Sequence, residues 1–166
     1  MPRPKRADLP GLVDALIRAE VEFIVVGGVA AVLHGALAMT QDLDVVHCST
    51  VENIRHLTAV LEQLDAHVRE PGSRRLRPDE SMLLGGGQVQ LITTLGPLDL
   101  LGKLHDGRGY DELLPHTELL TDEHRRVRVL DLPTLIEVKT GAGRAKDRLV
   151  LPLLLALLRE RERRQT

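Results

Sequence analysis

The chain has 166 residues, 43% of them hydrophobic and 28% charged, a length and composition that suit one globular domain with a sizeable core. Aromatic residues make up only 1%, so Leu, Val, Ile and Ala must fill that core, and recognition of single strands by base stacking is disfavoured. A formal net charge of −2 predicts no general affinity for a phosphate backbone. One cysteine, Cys48, cannot close an internal disulfide, and no leading apolar segment resembles a signal peptide, so the expected compartment is the cytoplasm. Cys48 has no basic neighbour in sequence and reads as a buried structural thiol. The longest apolar run, Leu149 to Leu158 broken by Pro152, is too short for a membrane span of about 20 residues.

In chain order, Leu12, Leu16 and Ile17 give helical spacing over Leu9 to Ala19, and Val21 to Val26 reads as a short buried strand ended by Gly27 and Gly28. The Ala-rich "VAAVLHG" predicts a compact helix closed by Gly35, and Leu43 to Cys48 predicts a second strand. Ser49 and Glu52 offer a capping box for a helix whose apolar face carries Val51, Ile54, Leu57, Leu61 and Leu64. The charged "VREPGSRRLRPDE" predicts a mobile loop or a strand edge, and "SMLL", "GGG" and "QVQLITTL" read as a hairpin turning at Gly85 to Gly87. "PLDLL" is a further strand with Asp99 between leucines. Tyr110 to Leu114 reads as a helical turn, and "TELLTD" with "RRVRVLD" as a hairpin around Asp122 to His124. Asp131 and Pro133 start a helix that stops near Gly141 and Gly143, and a last helix runs from about Arg144 into "RERERRQT". The leucines from Leu149 to Leu158 surround that helix, which predicts burial beyond one face, by the domain itself or by a homodimer or partner helix.

The chemistry concentrates at Asp42 and Asp44. On a strand, residues i and i+2 point to one face with α-carbons about 6.7 Å apart, so both carboxylates share one environment. Their repulsion has to be offset by a cation or by hydrogen bonds. Mg²⁺ prefers oxygen ligands, and two ions about 3.5–4 Å apart can be clamped by three carboxylates, for which Asp99 is the third candidate. Gly27 and Gly28 would let a phosphate approach the backbone at the start of the following helix.

The arrangement Gly27-Gly28, thirteen residues from Val29 to Gln41, then Asp42-Leu43-Asp44 resembles the signature of the DNA polymerase beta-like nucleotidyltransferase superfamily. The text "GGVAAVLHG" with "TQDLDVV" looks most like its small bacterial members: minimal nucleotidyltransferases, abortive-infection type toxins and antibiotic-modifying enzymes. The late stretch "LIEVKTGAGRAKD" resembles a helical segment of these proteins whose basic residues face the nucleotide. The resemblance spans about residues 23–147. It implies an α/β (α+β) fold, a mixed β-sheet flanked by helices, within a single domain over 1–166 with a core at about 8–131 and C-terminal helices at about 132–160. It further implies Mg²⁺, two ions in number, and a nucleoside triphosphate donor whose monophosphate passes to a hydroxyl on a tRNA, a protein or a small molecule. Asp42, Asp44 and Asp99 would bind metal, with Asp99 also helping to deprotonate the acceptor, while Gly27, Gly28, Thr40, Lys139, Arg144 and Lys146 would hold the nucleotide.

His34 sits beside that region and either touches the nucleotide or caps a carbonyl. Arg69, Arg74, Arg75 and Arg77 form a cationic group that could receive an anionic acceptor or simply be solvated. Many relatives carry Ser or Thr soon after the first glycine, where this chain has Gly28 and Val29 and leaves only backbone donors. That difference and the leucine-rich last helix keep a second function open: a non-catalytic binding protein on the same fold, such as the antitoxin of a toxin–antitoxin pair. A Rossmann-type dinucleotide binder fits less well, because "GGVAAV" lacks the G-x-G-x-x-G spacing.

Overall fold

The computed structural model describes residues 6–69 and 75–166; the predicted Arg74 lies outside them. Helix α1 (Leu9–Arg18) is capped by Asp8, which accepts from Gly11 N at 2.9 Å, and buries Leu12, Val13 and Leu16. Strand β1 (Phe23–Val26) is buried along its whole length and runs without a linker into α2 (Gly27–Leu33). Strand β2 (Leu43–His47) pairs antiparallel with β1, setting Asp44 opposite Val26. Helix α3 (Val51–Gln63) follows. Thr50, not Ser49, caps it: the Thr50 hydroxyl accepts from Asn53 N at 3.2 Å, one residue later than the expected capping box. Val51, expected on the apolar face, is 62% exposed, whereas Ile54, Leu57 and Leu61 are buried.

The expected hairpin through "SMLL" is a helix instead, α4 (Glu80–Leu84), preceded by a two-residue strand β3 (His67–Val68). Asp79 accepts from Met82 N at 2.9 Å and so nucleates a turn, and Leu83, 1% exposed, anchors it. Three consecutive apolar residues have no period of their own to oppose that local cap. The true hairpin joins β4 (Gln88–Thr93) to β5 (Gly96–Leu101), turning where Gly96 takes a φ of +131°.

After α5 (Tyr110–Leu113) come β6 (Thr117–Thr121) and β7 (Arg126–Leu130), an antiparallel pair as the sequence predicts. Asp131 then caps α6 (Leu132–Ala142), accepting from Thr134 N at 2.9 Å. Gly143, at φ +62°, closes α6 in the left-handed conformation and turns the chain into α7 (Ala145–Arg164).

The seven strands form one mixed sheet in the order β3-β4-β5-β2-β1-β7-β6, parallel between β2 and β5 and between β1 and β7. The sheet with its helices is the expected α/β architecture. Its core is aliphatic, with Phe23 the one buried aromatic ring among the described residues. The last helix departs from expectation: only Val150 and Leu154 of its leucine-rich stretch are buried, and Leu149 is 80% exposed. Packed on one side against α6 and the turn at Gly35, which meets Leu157, α7 leaves its other faces to solvent. Among the described residues no helix is long and apolar enough to cross a membrane.

Candidate functional site

Strand pairing brings the three acids together. Asp44 lies directly opposite Asp99 in the parallel β2–β5 register, and one carboxylate oxygen from each of Asp42, Asp44 and Asp99 falls within 4.8 Å of the others. Asp99 is 4% exposed. Arg69 donates from Nη2 to Asp99 Oδ1 at 2.7 Å, and Gln88 reaches Oδ2 at 3.5 Å. Burial, then the charges of Asp99 and Asp42, push the Asp44 carboxyl from 3.8 up to about 7, against a smaller opposing pull from Lys146. Burial also raises Asp99, although the Arg69 guanidinium opposes it.

Asp44 Oδ1 is buried without a hydrogen-bond partner. An orphan carboxylate oxygen beside two further acids is a donor set suited to a hard divalent cation, so these residues fit Mg²⁺.

The glycine pair serves these side chains as well as the backbone. Gly27 has a φ of +66°, and a Cβ there would fall on the Asp44 carboxylate. A Cβ on Gly28 would meet Thr40 Oγ1 at 2.8 Å. Thr40 in turn donates to the Asp42 carbonyl at 3.1 Å, tying the loop before β2 to the acids.

Two cavities, of about 590 and 260 Å³, meet at the acids and share Gly27, Asp42, Asp44, Lys139, Arg144 and Lys146. The smaller adds Gly28 and Thr40, the larger Asp99, Gln88, Gln90, Lys103 and His105. The residues expected to bind metal or nucleotide therefore each border one cavity or both. A third cavity, of about 370 Å³, lies between α1, α2 and the β6–β7 hairpin, and it is lined mostly by aliphatic side chains.

Other expected residues lie elsewhere. His34 donates from Nε2 to the Leu130 carbonyl at 2.7 Å and accepts from Arg161 at 3.0 Å on Nδ1, so it caps a carbonyl and anchors α7. Arg75 and Arg77 both pair with Asp65. Cys48 is buried, as expected.

Sequence reasoning missed Gln88, Gln90 and His105, and it placed Arg69 in a cationic group open to an anionic acceptor, not beside Asp99. For the glutamines a signal existed: "QVQLIT" alternates exposed and buried, and Gln90 pairs with Asp99 in register. Arg69 has no local signature, because only the closing of β3 on β4, with Arg69 N bonded to Gln90 O, carries it to Asp99.

Three solved structures share this arrangement of elements. A protein from Thermotoga maritima described as a nucleotidyltransferase is 18% identical, matching 89% of this chain and 90% of its own with a TM-score of 0.54. The lincosamide antibiotic adenylyltransferase LnuA, with lincomycin bound, is 13% identical over 90% of this chain and 95% of its own, with a TM-score of 0.62. The antibiotic-resistance factor ANT(2″)-Ia, in complex with adenylyl-2″-tobramycin, is 16% identical over 90% and 87%, with a TM-score of 0.57. The fold is that of a nucleotidyltransferase. No protein-family model and no curated protein matches the chain. Within the nucleotidyltransferase fold, Asp44 and Asp99 of this chain stand on the adjacent parallel strands β2 and β5, and Asp42 immediately precedes β2, all three bordering the larger cavity.

Proposed function

We propose that the chain is a Mg²⁺-dependent nucleotidyltransferase that moves a nucleoside monophosphate from a nucleoside triphosphate to a hydroxyl. One observation carries this reading: three carboxylates converge within 4.8 Å, and Lys139, Arg144 and Lys146 border the cavities in which they lie. Acids of that number, one of them with an unpartnered buried oxygen, call for cations, and cations of that number call for an anion such as a triphosphate.

Asp42, Asp44 and Asp99 would hold two ions, which supply charge neutralisation at the phosphates and acidify the attacking hydroxyl. Gly27 and Gly28 offer backbone N–H groups at the opening of α2, and Thr40 a hydroxyl, on the side of the smaller cavity. Lys139, Arg144 and Lys146 would bind the β- and γ-phosphates and stabilise the departing pyrophosphate. The acceptor oxygen forms its bond to the α-phosphorus as the bond to the bridging oxygen of pyrophosphate breaks. The acceptor's proton would pass to Asp99. The larger cavity, with Gln88, Gln90 and His105, has the size to seat the acceptor. The bound lincomycin and the adenylylated tobramycin of the neighbouring structures favour ATP and small molecules as the first donor and acceptors to try.

The test is transfer of label from each α-labelled ribonucleoside triphosphate to tRNA, protein and small acceptors. Asp42→Asn and Asp44→Asn are expected to lower transfer at least about a thousandfold, roughly 4 kcal/mol of transition-state stabilisation. Undiminished transfer in either variant removes the assignment.

Exposed apolar side chains favour a second reading, the non-catalytic binding protein. Leu149 is 80%, Leu37 95% and Met39 98% exposed, which suits a partner's surface. Co-purification with a helical ribonuclease encoded beside it, together with absent transfer, would select that reading.

A further inference from the structure

Asp147 is wholly buried, at 0% exposure, in the first turn of α7, yet neither the metal set nor the phosphate set above uses it. Its carboxylate accepts from the Lys139 ammonium at 3.3 Å, from Arg144 Nε at 2.8 Å and Nη2 at 3.4 Å, and from the Arg144 backbone N–H at 3.3 Å. Burial alone would raise this carboxyl, but the Arg144 hydrogen bond and the charges of Lys139 and Arg144 outweigh it and hold the group below the ordinary value.

We propose that Asp147 is a positioning residue, whose buried carboxylate holds Lys139 and Arg144 together as one clamp for the phosphates of the donor. This inference rests on the nucleotidyl-transfer reading above. An ion pair taken out of water is weak support for stability, because apolar side chains of similar volume often serve as well or better. What the charged arrangement supplies, and an apolar one would not, is orientation. Lys139, only 5% exposed, carries three N–H donors and has Asp147 as its one ion-pair partner among the described residues, while it borders both cavities. Among the described residues its remaining donors make no hydrogen bond and stay open to a ligand.

Arg144 binds the carboxylate through Nε and Nη2, which fixes the plane of the guanidinium. Its side chain is still 56% exposed, so the opposite edge of the fork remains available to a second anion. The turn at Gly143 makes this possible. Its N–H returns to the Lys139 carbonyl at 3.0 Å and brings the last turn of α6 against the first turn of α7, so one carboxylate reaches both cations. Two cations held by one acid leave a net charge of +1, and Lys146 beside them raises it to +2, on the wall facing the acids.

The experiment is calorimetric titration with inorganic tripolyphosphate in excess Mg²⁺, a probe that needs neither the right base nor the right acceptor. The wild type is expected to bind one equivalent, and Asp147→Asn to bind one equivalent about tenfold more weakly. Lost packing would lower the stoichiometry by shrinking the folded fraction, whereas lost positioning raises Kd at unchanged stoichiometry. Equal Kd values overturn this inference and leave the nucleotidyl-transfer reading standing. A wild type that binds no tripolyphosphate overturns both. Should Asp147→Asn not fold, the comparison becomes Lys139→Met/Asp147→Leu, an apolar replacement of the buried pair, against Lys139→Met alone. A further threefold or greater weakening supports the role of Asp147 through Arg144, and equal affinities overturn it.

Discussion

On the strand side of the cavity Asp44 keeps a buried oxygen with no partner and a carboxyl pushed up to about 7, with two more acids crowded against it. On the helix side, Asp147 is buried more deeply, yet each of its oxygens meets donors and its carboxyl stays below the ordinary value. Both walls are charged and both are close to the protein interior. The difference is where the compensating charge comes from: the helix wall carries its own counter-ions, whereas the strand wall leaves most of the compensation to something that binds. A fold can tolerate the second kind of wall only if neighbouring backbone holds the acids rigidly in place.

Gly27 is that backbone, and replacing it should have the largest effect on the comparison. Gly27→Ala puts a Cβ onto the Asp44 carboxylate at a φ of +66°, combining overpacking with backbone strain. A loss of about 2–4 kcal/mol in urea unfolding is expected. Gly28→Ala meets only the Thr40 side chain, at 2.8 Å and with no positive φ, and is expected to cost about 1 kcal/mol. Equal costs at the two glycines would mean that Asp44 is not held against the turn.

The next test separates the walls by pH. In metal-free protein the folded state keeps the Asp44 proton up to about 7, while the unfolded chain releases it near 3.8, so between those values the folded state binds more protons. Stability from this group is therefore full below 3.8 and falls as pH rises to about 7. Asp44→Asn has no such proton to lose. With chelator at pH 8 it should be more stable than the wild type by about 1–3 kcal/mol, a difference that vanishes at the acid end of the range. Saturating Mg²⁺ should restore the wild type and leave the variant nearly unmoved. For the helix wall the sign reverses: Asp147, with its folded value lowered, stabilises the protein above the ordinary carboxylate range and loses that contribution as pH falls through it. Wild type and Asp147→Asn should accordingly converge in acid, as followed by circular dichroism.

The contrast between the walls also separates what the sequence discloses from what it withholds. Asp44 is legible because strand alternation is local, Asp42 follows from lying two residues before it at the entry to β2, and "PLDLL" announces a strand carrying Asp99. Long or strongly punctuated elements, such as the helix capped by Asp131 and stopped at Gly143, are legible for the same reason. "SMLL" is not, since its three apolar residues lack a period and the decision fell to the cap at Asp79. The exposure of α7 is also illegible, because composition tells which side chains are apolar and not how many faces find a neighbour. Asp147 follows an ordinary run of charges, and only the Gly143 turn, by folding α7 back on α6, makes it the shared partner of Lys139 and Arg144.

Arg69 is the exception on the strand wall, and it allows the smallest and sharpest test. Its guanidinium donates to Asp99 Oδ1 at 2.7 Å with 31% of the side chain exposed, so it offers one acid a counter-ion that Asp44 lacks. A bound cation must compete with it for that oxygen. A pair with one partly exposed partner contributes on the order of 1 kcal/mol, so Arg69→Gln should tighten Mn²⁺ binding, measured by the resonance of the free ion, about threefold to fivefold. The gain depends on pH in a fixed direction. Arg69 opposes the rise of the Asp99 carboxyl, so its removal leaves that group holding its proton more firmly, and the proton then competes with the metal. Tightening should be full at pH 8 and fade toward pH 6. Weaker Mn²⁺ binding at pH 8 would show that Arg69 holds Asp99 in place for the ion, and both walls would then rest on an ion pair in which one partner orients the other.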